Sequence, residues 1–170
     1  MSDREASNDP AQQTPSRHVL IQAVYCRDVS YESPGGPQPF VGGSRWEPHI
    51  KLQVDINSAR SEAGTEVVLG ITLTATQDER TACLIEVKQA GLFGLRGFAE
   101  DEERQVILTY CPSVLLPYAR QVISDLMGKG GFPPYLLPPI NFEALYHQRQ
   151  GRDEDAARFE FSAGPARGDR

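Results

Sequence analysis

The sequence predicts an α+β fold in which helices pack on one face of a four-stranded antiparallel sheet. Apolar and polar residues alternate through the first half of the chain in four runs, as expected for strands with one solvated face. Beyond about Gly97 the apolar residues recur every three or four positions, as expected for helices. The length of 170 residues fits one domain with tails at both ends.

The first predicted strand runs from His18 to about Glu32. Because successive side chains of a strand point to opposite sides, Asp28, Ser30 and Glu32 are expected on the solvent face. The inward face is expected to carry Val19, Ile21, Ala23, Tyr25, Val29 and Tyr31. A connection rich in proline and glycine follows (SPGGPQPFVGG, 33–43), and its composition prevents regular structure.

Three further strands complete the predicted sheet. They are expected at about Glu47–Asn57, Glu66–Thr76 and Thr81–Phe93, joined by short turns. In the last of them Leu84 and Glu86 alternate with the apolar Ile85 and Val87. Leu84 and Glu86 are therefore expected on the side of the sheet away from the core.

Helices are predicted in the second half of the chain. The segment from Asp101 to Tyr110 begins with acidic residues, which suit the positive end of a helix dipole. Pro117 is expected to kink or restart the helix that follows, and Asn141 to cap a last helix reaching about Gln150. The apolar stripe of the middle helix is Leu115, Tyr118, Val122 and Leu126.

Both ends are predicted to be tails around a folded domain at 18–150. Residues 1–17 and 151–170 are rich in polar and charged residues and have little apolar surface to bury. Phe159 and Phe161 are the only large apolar residues of the second tail. Disorder is favoured there over a short docking element.

Composition excludes several classes of function. The formal charge is −6 and the sequence pI is about 5.1, and no clustered basic face suited to nucleic acid is visible. No apolar run approaches the roughly 20 residues that span a bilayer, so no membrane insertion is expected. The polar N-terminal segment lacks the apolar stretch of a signal peptide. The chain is therefore predicted to be cytoplasmic.

Catalytic and metal-binding signals are absent from the sequence. It contains no P-loop, GxGxxG, GxSxG or HExxH motif, so the chain is predicted not to be an enzyme and to use no cofactor. Cys26, Cys83 and Cys111 form no CxxC pair and lie far in sequence from the three histidines, which argues against a zinc site. Reduced, mostly buried thiols are predicted instead.

Two groups of residues suggest binding to other proteins. Aromatic residues at loops and element ends could line a groove for apolar peptide, although the residues alone favour the interpretation that each closes the core beneath its own loop. The solvent-facing residues of the first and fourth strands would form an acidic and apolar patch if these strands are neighbours.

Three segments resemble the SecB family. VYCRDVSYESPGGP is similar to its first-strand signature, and ACLIEVKQAGLF is similar to its Glu–Val–x–Gln–x–Gly–Ile/Leu–Phe strand. YCPSVLLPYARQVISDLMGKGGFPPYLLPPINFEALY resembles its signature of Cys–Pro, Pro–Tyr–Ala–Arg, Gly–Gly–Phe–Pro–Pro and Asn–Phe. Together the three segments span about His18 to Gln150 in the family's order.

The resemblance implies an export chaperone that is a homotetramer, built as a dimer of dimers. It implies that the chain binds unfolded precursor proteins and delivers them to the SecA ATPase. The family's SecA-contacting positions fall on Asp28, Glu32, Leu84 and Glu86. The client peptide groove falls on Phe40, Trp46, Phe93, Phe142 and Tyr146.

The sequence also departs from the family pattern. Gly35 and Gly36 replace the usual asparagine of the turn, and several arginines lie in a tail that is often more acidic. Two other hypotheses remain open at this stage. One is a SecB-like chaperone specialised for a toxin–antitoxin system or another dedicated client, and the other is a small ligand-binding or enzymatic domain that uses the aromatic cleft.

Overall fold

The computed structural model describes residues 16–43, 45–148 and 157–163. They form one antiparallel sheet with helices on one face, which confirms the predicted α+β class. The strands are β1 (His18–Glu32), β2 (His49–Ser61), β3 (Gly64–Gln77), β4 (Arg80–Arg96) and β5 (Ala157–Ala163). The helices are α1 (Glu100–Leu108), α2 (Tyr110–Lys129) and α3 (Phe142–Gln148), and a short 3-10 helix (Gln38–Phe40) lies between β1 and β2.

The strand order in the sheet is β1-β4-β3-β2-β5. Two tight hairpins join β2, β3 and β4, and the turn of the second carries Asp78 and Glu79 at φ 50° and 61°. Two consecutive residues with positive φ match the twist of a two-residue hairpin. The buried inner face, toward the helices, includes Ile50, Leu52, Val54, Ile56, Leu69, Ile71 and Leu73.

The predicted number of four strands is wrong, because the sheet has five. The extra strand, β5, comes from the segment expected to be a disordered tail, and it pairs with β2. Phe159 and Phe161 are half-buried against the core, so the docking element is the correct interpretation for this part of the tail. The other residues of the two predicted tails, 1–15, 151–156 and 164–170, lie outside the described residues.

The predicted inward face of β1 is also wrong in part. The pairing of β1 with β4 shifts between Ile21 and Ala23 and again between Cys26 and Asp28. Each bulge adds one residue to β1, and one extra residue reverses the side to which the following side chains point. Ala23 and Tyr25 therefore lie on the outer face, away from the helices, and the second bulge returns Val29 and Tyr31 to the inner face.

Helix α2 runs without restarting through Pro117, contrary to that part of the prediction. The break in the helical path lies earlier, at Thr109, between α1 and α2. The buried side of α2 is also rotated from the predicted stripe, since Tyr118 is exposed. This side consists of Cys111, Pro112, Leu115, Leu116, Ala119, Ile123 and Met127.

Among the described residues, the stretch Glu100–Lys129 is the only one long and apolar enough to pass a length and composition test for a membrane span. Half of its most apolar window is buried inside the protein. That is the pattern of a helix that covers a core.

A proline-rich segment connects α2 to α3. The backbone N–H of Phe132 donates to the carbonyl of Met127 and closes the end of α2. The chain then returns without regular structure until Asn141, whose side-chain oxygen accepts a hydrogen bond from the Ala144 N–H at 2.9 Å. The predicted cap of the last helix is thereby confirmed.

Candidate functional site

An aromatic cluster lies where the connection after β1 meets the end of α2. The ring of Phe132 lies 4.4 Å from that of Trp46 and 5.0 Å from that of Phe40, measured between centroids. These distances are typical of favourable aromatic pairs. Phe132 is only 4% exposed, whereas Phe40 is 55% exposed and Trp46 is half-buried. Phe132 therefore forms a buried floor beneath an accessible rim.

The backbone at Gly131 allows Phe40 to pack this closely. Gly131 has φ +85°, a conformation that residues with a side chain rarely adopt. A Cβ atom there would also lie 3.3 Å from the Phe40 ring. The GGF sequence that ends α2 thus has a direct role in shaping the cluster.

A cavity of about 580 Å³ opens between the same connection and the β3–β4 hairpin. Its walls come from the connection itself and from the β3–β4 hairpin. They include Pro34, Gly35, Gln38, Pro39, Val41, Gln77, Asp78, Arg80, Thr81 and Ala82. Gly35, one of the two departures from the family turn, therefore lies in this wall.

Phe142 and Tyr146 lie at the opposite end of α2. Phe142 is buried and lines a cavity of about 410 Å³ with Tyr110 and Ser113, from the first turn of α2. Between Ser113 and Met127, a rise of about 1.5 Å per residue gives roughly 20 Å. The five predicted groove residues thus do not form one compact pocket, and an extended segment of about six residues would be needed to reach both ends.

Phe93 does not lie in either group. It is on β4, fully buried in the core, and a Cβ atom at Gly91 would lie 2.6 Å from its ring. A peptide at the surface cannot contact it in this conformation. Phe132 was not among the predicted groove residues, and its position next to Gly131 is the signal that would have found it.

The four residues of the predicted acidic patch are brought together on the outer face. Strand β1 pairs with β4 so that Asp28 is opposite Lys88, Ser30 opposite Glu86 and Glu32 opposite Leu84. Asp28, Glu32 and Glu86 are exposed and Leu84 is partly exposed. Directly opposite residues have Cβ atoms about 5 Å apart, so these side chains form one continuous patch.

The acidic residues of this patch differ in whether they have an ion-pair partner. Asp28 lies 3.6 Å from the ammonium group of Lys88. Within the described part of the chain, neither Glu32 nor Glu86 has an ion-pair partner. These two carboxylates are therefore the ones most available to a cationic group of another protein, next to the apolar Leu84.

A second polar cluster lies further along the outer face, at the bulged part of β1. The Tyr25 hydroxyl donates a hydrogen bond to the Glu66 carboxylate, and Arg27 lies 2.8 Å from the same group. The hydrogen bond to Glu66 raises the pKa of Tyr25, with smaller contributions from burial. The two bulges thus bring Tyr25 and Arg27 into contact with the same carboxylate, that of Glu66.

The three cysteines differ in accessibility. Cys83 and Cys111 are buried, and burial raises their pKa values to about 11 and about 12, whereas Cys26 is exposed. A thiol with a raised pKa is a poor nucleophile near neutral pH. Across the described ranges, no three histidine, cysteine or acidic side chains come together in a group that could hold a metal ion.

Comparison with known proteins identifies the family. The family model described as preprotein translocase subunit SecB matches residues 11–153. The chain belongs to the SecB family. This confirms the resemblance seen in the sequence, and the family consists of chaperones rather than enzymes.

Curated SecB proteins match over most of their length. The protein-export protein SecB of Nitrosococcus oceani is 40% identical over 157 residues, which is 92% of this chain and 96% of that relative. The corresponding protein of Halorhodospira halophila is 47% identical over 135 residues, 79% of this chain and 77% of the relative. That of Cellvibrio japonicus is 38% identical over 165 residues, 96% and 98% of the two chains.

A solved structure has the same fold. It is a SecB-like chaperone of Mycobacterium tuberculosis in complex with a ChAD peptide from an antitoxin, with a TM-score of 0.60. The match covers 72% of this chain and 91% of the other, at 18% identity. At this identity the comparison establishes the fold alone.

Proposed function

We propose that this chain is a protein-export chaperone that binds unfolded precursors and delivers them to the SecA ATPase. Membership of the SecB family supports the chaperone and export role directly. The observation that supports the two-step mechanism is that the acidic patch lies on the outer face of the sheet, whereas the aromatic cluster lies at the end of α2, which packs on the inner face. One surface can hold a client while the other contacts the motor.

Client binding would use the accessible rim of the aromatic cluster. Phe40 and Trp46 offer apolar surface above the buried Phe132, and Tyr146 offers a second partly exposed ring about 20 Å away, beside the buried Phe142. Aromatic rings bind apolar side chains with modest demands on geometry, which suits unrelated client sequences. Holding a client in this way needs no nucleotide.

Delivery would use the patch of Asp28, Glu32, Leu84 and Glu86. Its exposed carboxylates would attract a basic surface, and electrostatic attraction between surfaces raises the rate of encounter. Leu84 would then contribute apolar contact at one end of the patch, opposite Glu32. Weak dependence of such a complex on salt would contradict this view.

Self-association into a dimer of dimers is part of the proposal. Strand β1 is an edge of the sheet, and it exposes the apolar side chains of Leu20, Ile21 and Val29. Tyr110 and Tyr118 are exposed on α2 in a separate region. Two separate apolar surfaces on one chain are what two kinds of subunit contact require. Several grooves on one tetramer would hold different segments of one client and prolong the complex.

We place the protein in the cytoplasm, where precursors are made. Of the alternatives, a chaperone dedicated to a toxin–antitoxin system shares only a fold likeness with this chain at 18% identity. The export relatives are 38–47% identical over most of the chain. Bulk export is therefore the favoured function.

The first experiment separates the two surfaces. Purified protein should suppress aggregation of a chemically unfolded client without ATP and should bind purified SecA. Reversal of three charges, Asp28→Lys, Glu32→Lys and Glu86→Lys, should weaken SecA binding at least tenfold while client binding stays within about twofold, because these residues lie outside the aromatic cluster.

A matched control reverses three exposed acidic residues elsewhere, with Glu62→Lys, Glu100→Lys and Asp101→Lys. This variant has the same net charge as the first and should retain SecA binding. Equal weakening by both variants would mean that overall charge, and not the patch, determines binding. Joint loss of client and SecA binding in the patch variant would contradict two separate surfaces.

A further inference from the structure

Strand β5 covers the outer edge of β2. The two strands pair antiparallel from Ile56 opposite Ala157 to Ile50 opposite Ala163. Phe159 is paired with Val54 and Phe161 with Leu52, both fully buried residues of the inner face. The two phenylalanines therefore extend the apolar inner face by one strand, and β5 supplies the hydrogen-bonding partners that the β2 edge would otherwise lack.

The outward contacts of β5 contribute little to holding it. Glu160 accepts a hydrogen bond from Gln53 at 2.7 Å and lies 3.7 Å from the Lys51 ammonium, and Ser162 is 2.9 Å from the His49 ring. Arg158 also donates to the Gln53 side chain at 3.4 Å. Gln53 is partly exposed and the other side chains are largely exposed, and exposed ion pairs stabilise a fold only slightly. The backbone ladder and two half-buried rings are thus the main attachments.

Strand β5 is also the shortest strand and the last one described along the chain. A short edge strand that pairs with one neighbour only belongs to the least stable part of a fold and can open without global unfolding. Eight residues, 149–156, connect it to α3. Such a short connection keeps a released strand near its site at an effective concentration of about 1 mM.

We propose that the β2 edge is a strand-addition site for an extended segment of an unfolded client, and that β5 fills it until the client displaces it. The segment that fits has large apolar side chains at alternate positions, as β5 does at Phe159 and Phe161. Addition to an open sheet edge gives affinity through the main chain, which is the same in every client. This inference rests on the proposed chaperone function, because it adds a second type of client contact.

The test uses a fluorescent peptide with the sequence ARFEFSA, which is β5 itself. A full-length variant with Phe159→Asp and Phe161→Asp should release β5, because each change places a carboxylate in the apolar inner face. We expect the peptide and an unfolded client to bind this variant about tenfold more tightly than the unchanged protein, since a tethered competitor at about 1 mM is removed. The control Ser162→Asp adds a carboxylate on the exposed side and should leave both affinities unchanged.

A locking variant gives the opposite change. Gln53→Cys and Glu160→Cys, in a Cys26→Ser background, replace directly paired and contacting residues, so oxidation should fix β5 in place. Peptide binding should be lost on oxidation and return on reduction. Peptide and client affinities that are the same in the released, locked and unchanged proteins would overturn the inference, while the proposed function would stand. Failure of every form to bind unfolded client would refute the proposed function itself.

Discussion

The position of Phe40 gives a test that separates binding from stability. Replacing Phe40 by alanine removes a ring that is 55% exposed, so a little under half of its surface is buried. For a side chain of about 200 Å², burial of about 90 Å² at about 25 cal/mol/Å² gives at most about 2 kcal/mol of folding free energy. Phe132→Ala removes a ring that is only 4% exposed and should cost about 3–5 kcal/mol.

Relative to the folding free energy that each variant loses, Phe40→Ala should weaken client binding more than Phe132→Ala. The exposed half of Phe40 is available to a client, and covering it should contribute roughly 1–2 kcal/mol, a factor of about 5–30 in affinity. The assay is titration of a labelled unfolded client into each variant, with urea denaturation of the same preparations. Phe40→Leu keeps an apolar side chain and should restore most of the affinity. Unchanged client affinity in a folded Phe40→Ala protein would refute the assignment of this ring to the groove.

Three further predictions concern stability and thiol chemistry. Gly128→Ala should stabilise the protein by about 0.5–1 kcal/mol, because the added methyl group meets open space in a helix, whereas Gly130→Ala should destabilise it by about 1–3 kcal/mol. The reason is that a Cβ atom at Gly130 would overlap the buried hydroxyl of Tyr31. Urea midpoints that shift in the same direction in both variants would contradict this geometry. Native protein should react with a maleimide at Cys26 alone, and mass spectrometry showing modified Cys83 or Cys111 would contradict their burial. Because the folded pKa values of the buried thiols lie above the ordinary 9.0, folding stability should fall as pH rises from 9 toward 11, as measured by urea unfolding at each pH.

Alternation and helix signals predicted most elements from the sequence. The central strands follow strict alternation, and the Asn141 cap is a local interaction between a side chain and a backbone three residues away. Local signals of this kind can be read without knowing the fold. The acidic patch could be assembled because Leu84 and Glu86 lie in a regular part of β4, opposite the part of β1 after its second bulge.

The remaining features depend on contacts between distant parts of the chain. The bulges at Gln22 and Arg27 arise from the pairing of β1 with β4, and alternation along β1 alone does not reveal them. Strand β5 was assigned to a tail because a polar composition predicts disorder, yet two phenylalanines at alternate positions are enough to extend a sheet that is already formed. Phe93 was assigned to the groove because it ends a strand near glycines, and only the packing of Gly91 against its ring shows that it belongs to the core.

The proline-rich segment between α2 and α3 has a consequence for how a client can move. Four of its residues, Pro133, Pro134, Pro138 and Pro139, have no backbone N–H group. A chain lying beside this segment cannot form a continuous hydrogen-bonded ladder with it and must be held through side chains. Such a chain can shift by one residue without breaking a set of backbone bonds at once. Motion of such a chain along the proline-rich segment would therefore be a series of small steps, and a motor pulling on one end could draw the client out gradually.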